Sequence, residues 1–303
     1  MDIQLCLYKL ITNTYLPDFP GKWRFKRYAK ELVSNRYYQV PYLSGSIWVC
    51  PVHAMGRQVF AGGIYEPTLV DVIRRFVHAQ FSFIDIGANI GLHTVAAALA
   101  KVTDSQFFIA FEPEPVNFSW LSKNCQANNL SFVTCKQQAL GEKNDFLVLN
   151  ISTTLNKGNH SLLAQEGTVR GGRVLVERLD TFFAGFPCSA DVPVLIKLDV
   201  EGFEWPVLAG GMQFLADRKD IALICEITPK SLALFGKSVK DLQDYLKDAG
   251  FTKSAVLMDQ DSFAVTGEKI SDFYNMIFIK GAEAEKVLAF LGAEILSDLA
   301  TLL

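Results

Sequence analysis

Phe83-Ile84-Asp85-Ile86-Gly87-Ala88-Asn89-Ile90-Gly91-Leu92-His93-Thr94 is the stretch that decides the fold. A short apolar strand runs into a glycine-punctuated turn, and a helical run over 94–101 begins at once behind it. A βα junction of this kind turns backbone N–H groups and a helix N-terminus toward a bound nucleotide. Gly87 can take backbone angles closed to other residues, and the missing Cβ at Gly91 lets a ligand or a neighbouring element approach closely. Outward from this turn, the next strand, 106–111, delivers Glu112 at its carboxyl end, where an acid reads ribose hydroxyls in nucleotide-binding sheets.

The spacing narrows the nucleotide. A dinucleotide fingerprint needs G-x-G-x-x-G, and here Asn89 stands for the second glycine and Leu92 for the third, which disfavours a nicotinamide or flavin site. The pattern that stands, D-x-G-x-N-x-G, resembles the first motif of class I S-adenosylmethionine-dependent methyltransferases. The competing reading is a tight βα turn of any doubly wound protein, with Glu112 merely solvated.

Bulk properties set the frame. The 303 residues are 50% hydrophobic, enough for a full α/β core plus a smaller appended region. A net charge of −3 argues against a general nucleic-acid binder. The six cysteines form no C-x-x-C and read as reduced thiols of a cytoplasmic protein. No apolar run reaches the roughly 18 residues of a membrane span. The basic-aromatic segment 1–35 reads as an amphipathic helix with a solvated basic face, a peripheral membrane or anionic-ligand contact being its alternative.

Along the chain, 42–60 reads as short strands, 46–50 being one. Gly63-Ile64-Tyr65-Glu66-Pro67 leads into a helix over 68–77 with proline in its first turn; Tyr65 and Glu66 are read either as leaning over the nucleotide pocket or as a turn with an N-terminal acid favoured by the helix dipole. Strands at 82–86, 107–112, 132–136, 193–199 and 221–227 alternate with helices at 91–102, 115–128 and 204–216. Strands apolar along their whole length belong to a parallel sheet covered on both faces. Residues 146–180 lose the helical period and form a loop-rich β insertion, where substrate contacts commonly lie. A helix at 240–249, antiparallel closing strands at 254–258 and 274–279, and a terminal helix over 282–303 complete the expectation. The divisions that follow are an extension over 1–60, a nucleotide-binding domain over 61–281 and the terminal helix.

A second constellation closes the strand at 193–199: Lys197-Leu198-Asp199-Val200-Glu201-Gly202-Phe203-Glu204 gathers three acids and a lysine around one glycine, and Glu226 ends the next strand. In an open parallel sheet these carboxyl ends border the ligand crevice. Glu204 and Glu201 also suit a helix N-terminus. Together with Asp85-Ile86-Gly87-Ala88-Asn89-Ile90-Gly91, Phe111-Glu112-Pro113, Gln138-Ala139-Leu140-Gly141 and Arg178-Leu179-Asp180, this motif makes residues 60–280 resemble the FkbM methyltransferases. The resemblance implies a Rossmann-like α/β class I methyltransferase fold, a mostly parallel sheet with an antiparallel closing strand, and S-adenosylmethionine-dependent O-methylation of hydroxyls on sugars or polyketide-like products. Carried over, Asp85, Gly87 and Gly91 line the methionine end, Glu112 the ribose and Gln138 the adenine, with Ala88, Asn89, Pro113 and Ala139 as further cofactor contacts. An acid often stands where Gln138 does; its amide can still pair with the adenine amine.

A hydroxyl acceptor needs a positioned base. Asp199 is preferred, with Glu201 and Glu226 on substrate hydroxyls, Lys197 orienting a carboxylate, and His160 in the insertion as the rival base. His93 reads as packing beside the nucleotide. Asp199 and Glu226 could instead hold Mg²⁺, but no His/Cys set has transition-metal spacing and no metal is expected. A nicotinamide oxidoreductase, a non-catalytic binding protein on the same scaffold and an N-methyltransferase are the competing functions. Monomer and homodimer are both open.

Overall fold

A computed structural model describes residues 36–51, 53–152, 162–163, 168–257, 274–291 and 296–297. The helix expected within 1–35 and the loop bearing His160 lie outside the described residues. The chain opens with an antiparallel hairpin, β1 (Tyr38–Tyr42) and β2 (Gly45–Val49), then α1 (Ala54–Phe60) and α2 (Pro67–His78). The alternating unit follows as β3 (Ser82–Ile86), α3 (Leu92–Ala98), β4 (Phe108–Phe111), α4 (Pro115–Ala127) and β5 (Val133–Lys136). β6 (Ala139–Leu140), β7 (Asp145–Ser152) and β8 (Thr168–Glu177) form a separate three-stranded sheet, and α5 (Leu179–Ala184) returns the chain to the core. Next come β9 (Val194–Leu198), α6 (Glu204–Ala209), α7 (Met212–Asp217), β10 (Ile221–Ile227), α8 (Pro229–Leu234) and α9 (Val239–Asp248). The last elements are β11 (Lys253–Leu257), β12 (Tyr274–Lys280), α10 (Ala282–Ala289) and β13 (Leu296–Ser297).

The eight-stranded sheet has the order β13-β11-β12-β10-β9-β3-β4-β5. The five strands from β10 to β5 are parallel, and β12 enters antiparallel between β10 and β11. Every residue of β3, β4 and β9 is buried, the property that makes these strands legible as a doubly covered sheet. Alternation sends Phe83, Phe108, Ala110 and Leu195 into a core with α2, α3, α4 and α10. Their neighbours Ile84, Ile109, Phe111 and Ile196 enter the opposite core with α5 to α9. The fold is a Rossmann-like α/β sandwich.

The hairpin is stitched to this frame by two asparagines of α4 and its cap. Ser46 N–H donates to Asn128 Oδ1 at 2.9 Å and Trp48 N–H to Asn124 Oδ1 at 2.7 Å. Asn124, wholly buried, then donates Nδ2–H to Ile90 O at 2.7 Å, inside the glycine turn. Val40, Tyr42, Ile47 and Val49 join the same core as α2.

Three expectations need correcting. Residues 54–60, read as strand, form α1, because Val59 and Phe60 drive one helical face into the core. The helix expected over 204–216 is two helices broken at Gly210-Gly211, where Gly210 O accepts from Asp180 N–H at 3.0 Å and a Cβ on Gly210 would collide with Gly141 O. The terminal helix stops at Ala289, and Leu296–Ser297 pairs with Leu257 and Val256; the open edge of β11 offers backbone groups that a helix end cannot match. α5 and α8 were not foreseen. Pro229 begins α8, and Asp180 sits in the first turn of α5 while its Oδ1 caps Phe214 N–H at 2.8 Å. Among the described residues, no helix is long and apolar enough to cross a membrane.

Gly87 holds the seam between β3 and β9. Its φ is +85°, and a Cβ there would collide with the carbonyl oxygen of Asp199. Gly87→Ala is expected to lower stability by at least about 1–2 kcal/mol from the left-handed backbone alone, measured by urea unfolding; an unchanged midpoint would refute the close packing of the two loops.

Candidate active site at the switch point

From β3 the chain winds outward through β4 to β5, then crosses back to β9 on the other side of β3 and winds outward through β10. The carboxyl ends of β3 and β9 are therefore the switch point, outside which such sheets hold the crevice they use for ligands. Parallel pairing continues past the strands: Asp199 N–H donates to Ile86 O at 3.0 Å. One wall of the crevice descends from β3, β4 and β5, the other from β9 and β10.

On the first wall, Gly87 N–H and Ala88 N–H both donate to Phe111 O, at 3.0 and 2.9 Å, which closes the turn over the end of β4. Asn89 takes φ +52° and its Oδ1 accepts from its neighbour Ile90 N–H at 2.8 Å, a local turn open to asparagine. Gly91 is shaped by packing, since a Cβ there would stand 2.7 Å from Leu121 Cδ1 of α4. Glu112 is 5% exposed; its Oε2 accepts from Asn89 N–H at 2.8 Å and its Oε1 from Glu114 N–H at 2.9 Å. Burial pushes its carboxyl up to about 7 against the pull of those two N–H groups, with Glu114 and Asp85 adding to the rise. Each oxygen keeps a lone pair for a further donor. Pro113 separates Glu112 from Glu114, which caps α4 by accepting from Asn117 N–H at 2.6 Å.

Asp85 bridges the walls. Its Oδ2 accepts from Thr94 Oγ1–H at 2.6 Å, and its Oδ1, wholly buried and without a hydrogen bond, lies 3.8 Å from Lys197 Nζ. Lys197 in turn donates to Asp199 Oδ2 at 3.0 Å. Burial of the ammonium opposes its charge, but Asp199, Asp85 and Glu66 outweigh burial and raise the lysine above its ordinary range. A carboxylate-rich second wall lies around this cation. Glu201, at φ +54°, is pushed up to about 8 by burial and by Asp199 and Glu204. Glu226 is pushed up to about 10 by burial and by Asp199, Glu201 and Glu204. Glu204 is 2% exposed and acts as a brace: its Oε1 accepts from Val200 N–H and Gly202 N–H, both at 3.1 Å, while burial lifts it to about 7.

Tyr65 and Glu66 reach the same space. The Tyr65 phenol is raised by burial and by the carboxylates of Glu66, Asp199, Glu226 and Glu201, and its ring centre lies 6.2 Å from that of His93. Glu66, at φ +48°, brings Oε2 within 3.2 Å of His93 Nε2, an ion-pair distance without hydrogen-bond alignment. At the far end of the first wall, Gln138 is 9% exposed and its Nε2–H donates to Glu177 Oε2 at 2.7 Å, while Ala139 is buried in β6. The structure thus brings together Asp85, Lys197, Asp199, Glu201, Glu226, Tyr65 and Glu66, and lines Glu112, Pro113 and Gln138 along the other wall. Sequence reasoning missed Thr94, Asn124 and Glu177. Glu114 alone had a readable signal, an acid before a proline at a helix start. Among the described residues, no three His, Cys, Asp or Glu side chains are disposed to hold a metal ion.

A mostly parallel sheet that reverses at a β3/β9 switch point, with β12 antiparallel beside β10, is the architecture of the class I S-adenosylmethionine-dependent methyltransferases. The family described as the Methyltransferase FkbM domain matches residues 85–253, more than half of the chain, and the chain belongs to that family. Among characterised sequences it is similar to Methyltransferase 1 of Beauveria bassiana (strain ARSEF 2860), 30% identical over 145 residues, 42% of this chain and 57% of that protein. The chain therefore spans little more than half of that relative's length. Among solved structures it is similar to Methyltransferase FkbM from Methylobacillus flagellatus KT, at 16% identity, TM-score 0.42, and 66% of this chain and 44% of that one. It is also similar to M. jannaschii TYW2 in complex with AdoMet, at 12% identity, TM-score 0.39, and 80% and 84% of the two chains.

Burial sets a pH dependence. Glu112, Glu204, Glu201 and Glu226 are raised to about 7, 7, 8 and 10, so the folded chain holds protons that the unfolded chain releases near pH 4–5. Their contribution to stability is complete below the unfolded value and is lost as pH rises through the folded ones. The ligand-free protein should show a thermal midpoint that falls between about pH 5 and pH 8; a midpoint that climbs across this range would contradict the burial of these acids.

Proposed function

We propose that this protein transfers a methyl group from S-adenosylmethionine to a hydroxyl of a sugar, glycan or polyketide-like product. The observation that carries the reading is the pairing, at the switch point, of a buried acid at the end of β4, Glu112, with a partly exposed carboxylate cluster around Lys197 at the end of β9. The residues present fit the cofactor: Glu112 keeps two free lone pairs, and Asp85 Oδ1 is buried without a hydrogen bond. Glu112 and Pro113 would hold the ribose, Asp85, Gly87, Ala88, Asn89 and Gly91 the methionine end, Gln138 and Ala139 the adenine, with Tyr65 and Glu66 closing the pocket from above. Bound there, S-adenosylmethionine would supply a methyl group on a cationic sulfonium.

The chain's own task is then alignment and proton removal. Asp199 is the preferred base: its side chain is 29% exposed, within reach of an acceptor, and Lys197 holds one of its oxygens at 3.0 Å. Glu201 and Glu226, raised to about 8 and about 10, carry protons at neutral pH and are suited to donate hydrogen bonds to an acceptor's oxygens. His160, the rival base, lies outside the described residues. An acceptor amine is the second reading, favoured by the excess of carboxylates over cations among the described residues of this wall. The free thiols of Cys50, Cys125, Cys135, Cys188 and Cys225 support a reducing, cytoplasmic setting.

Glu112→Ala should weaken S-adenosylmethionine binding by about 1–3 kcal/mol, read by calorimetry, and unchanged affinity would remove Glu112 from the site. Affinity in the unaltered protein should also fall as pH drops below about 7, because a protonated Glu112 can accept from fewer ribose hydroxyls. Asp199→Asn should leave that affinity near normal and cut turnover by about 10²–10⁴ against a panel of monosaccharide, lipid-linked sugar and macrolide acceptors. Full turnover in the variant would pass the role of base to another group.

A further inference from the structure

We infer that Glu177 is a positioning residue that makes the cofactor site selective for adenine, by holding the Gln138 amide with its oxygen turned toward the base. The inference rests on the S-adenosylmethionine reading above and deepens it. Gln138 follows the end of β5, beside the strand end that carries Glu112, and Glu112 N–H donates to Lys136 O at 3.1 Å. It is 9% exposed, and Nε2–H donates to Glu177 Oε2 at 2.7 Å. A carboxylate only accepts, so the pair forms with the amide nitrogen toward Glu177; the flipped amide would set oxygen against oxygen.

Glu177 is itself held in place. It is the last residue of β8, in register with Leu140 of β6, and its carbonyl accepts from Gly141 N–H at 3.0 Å. Gln138 Oε1 is thereby fixed on the side of the amide away from Glu177, and among the described residues no protein group donates to it. A nearly buried carbonyl oxygen with a fixed direction accepts from an amine and repels another carbonyl. Adenine presents an amine at its six-position, whereas hypoxanthine and guanine present an oxygen there. A glutamine left free to turn would accommodate either; the carboxylate behind it removes that freedom.

The test is calorimetric titration of the full chain with S-adenosylhomocysteine and with S-inosylhomocysteine, which differ only in that six-position group and the ring proton that goes with it. The unaltered protein should favour the adenosyl compound by about 10–100-fold. In Glu177→Gln, residue 177 can donate or accept, the Gln138 amide can turn, and the preference should shrink to a few-fold. Gln138→Leu removes the oxygen and should abolish the preference while leaving weak binding of both compounds. A purely structural role for Glu177 would lower both affinities together and leave their ratio intact, and that result would overturn the inference. So would a preference that survives in Gln138→Leu, or an unaltered protein that binds both compounds equally. An unaltered protein that fails to bind S-adenosylhomocysteine would overturn the cofactor reading itself and this inference with it.

Discussion

Everything in the crevice depends on how tightly the loop after β3 is pressed against the loop after β9. Asp199 N–H reaches back to Ile86 O, and Asp199 O occupies the place where Gly87 would otherwise carry a side chain. Two loops that diverge in sequence by more than a hundred residues are thus one backbone unit at their roots. The turn that would face a cofactor and the acid that would face an acceptor are positioned by the same contact, so their separation is set by peptide geometry rather than by flexible side chains. That rigidity is what an in-line displacement asks of its scaffold.

Electrostatics divides the two walls. On the first, Glu112 has its charge supported by backbone N–H groups from Asn89 and Glu114, donors that do not move with solvent. On the second, Asp199, Glu201 and Glu226 gather near the buried ammonium of Lys197, which among the described residues is placed to satisfy Asp199 and to approach Asp85. Mutual repulsion and burial then keep protons on Glu201 and Glu226. One cluster therefore contains both hydrogen-bond donors and an acceptor, although every member is a carboxyl group.

The sheet was readable from sequence wherever a strand is buried on both faces. β3 and β10 have the foreseen limits and β9 only a residue fewer at each end, because a run such as Val194-Leu195-Ile196 admits no exposed face. Helix limits were readable where a proline or an acid marks the start, as at Pro67 and Pro115, and unreadable where tertiary packing decides. The break at Gly210-Gly211 exists to let α6 and α7 pass the Gly141 carbonyl, a constraint from seventy residues away. β13 follows from an open sheet edge and leaves no periodic mark in so short a run. In the site, acids at strand ends could be placed from register alone. Thr94 behind Asp85, Asn124 across to Ile90 and Glu177 behind Gln138 could not, since each acts through a partner that only the folded chain supplies.

Asn124 spends its side chain on two masters, the hairpin edge at Trp48 and the nucleotide turn at Ile90. The segment by which the family is identified begins at residue 85, yet one of the supports of its signature turn is anchored in a hairpin that lies wholly upstream. An excision trimmed to that homology would remove the hairpin and take from the Asn124 amide the Trp48 backbone groups that it holds in the folded chain.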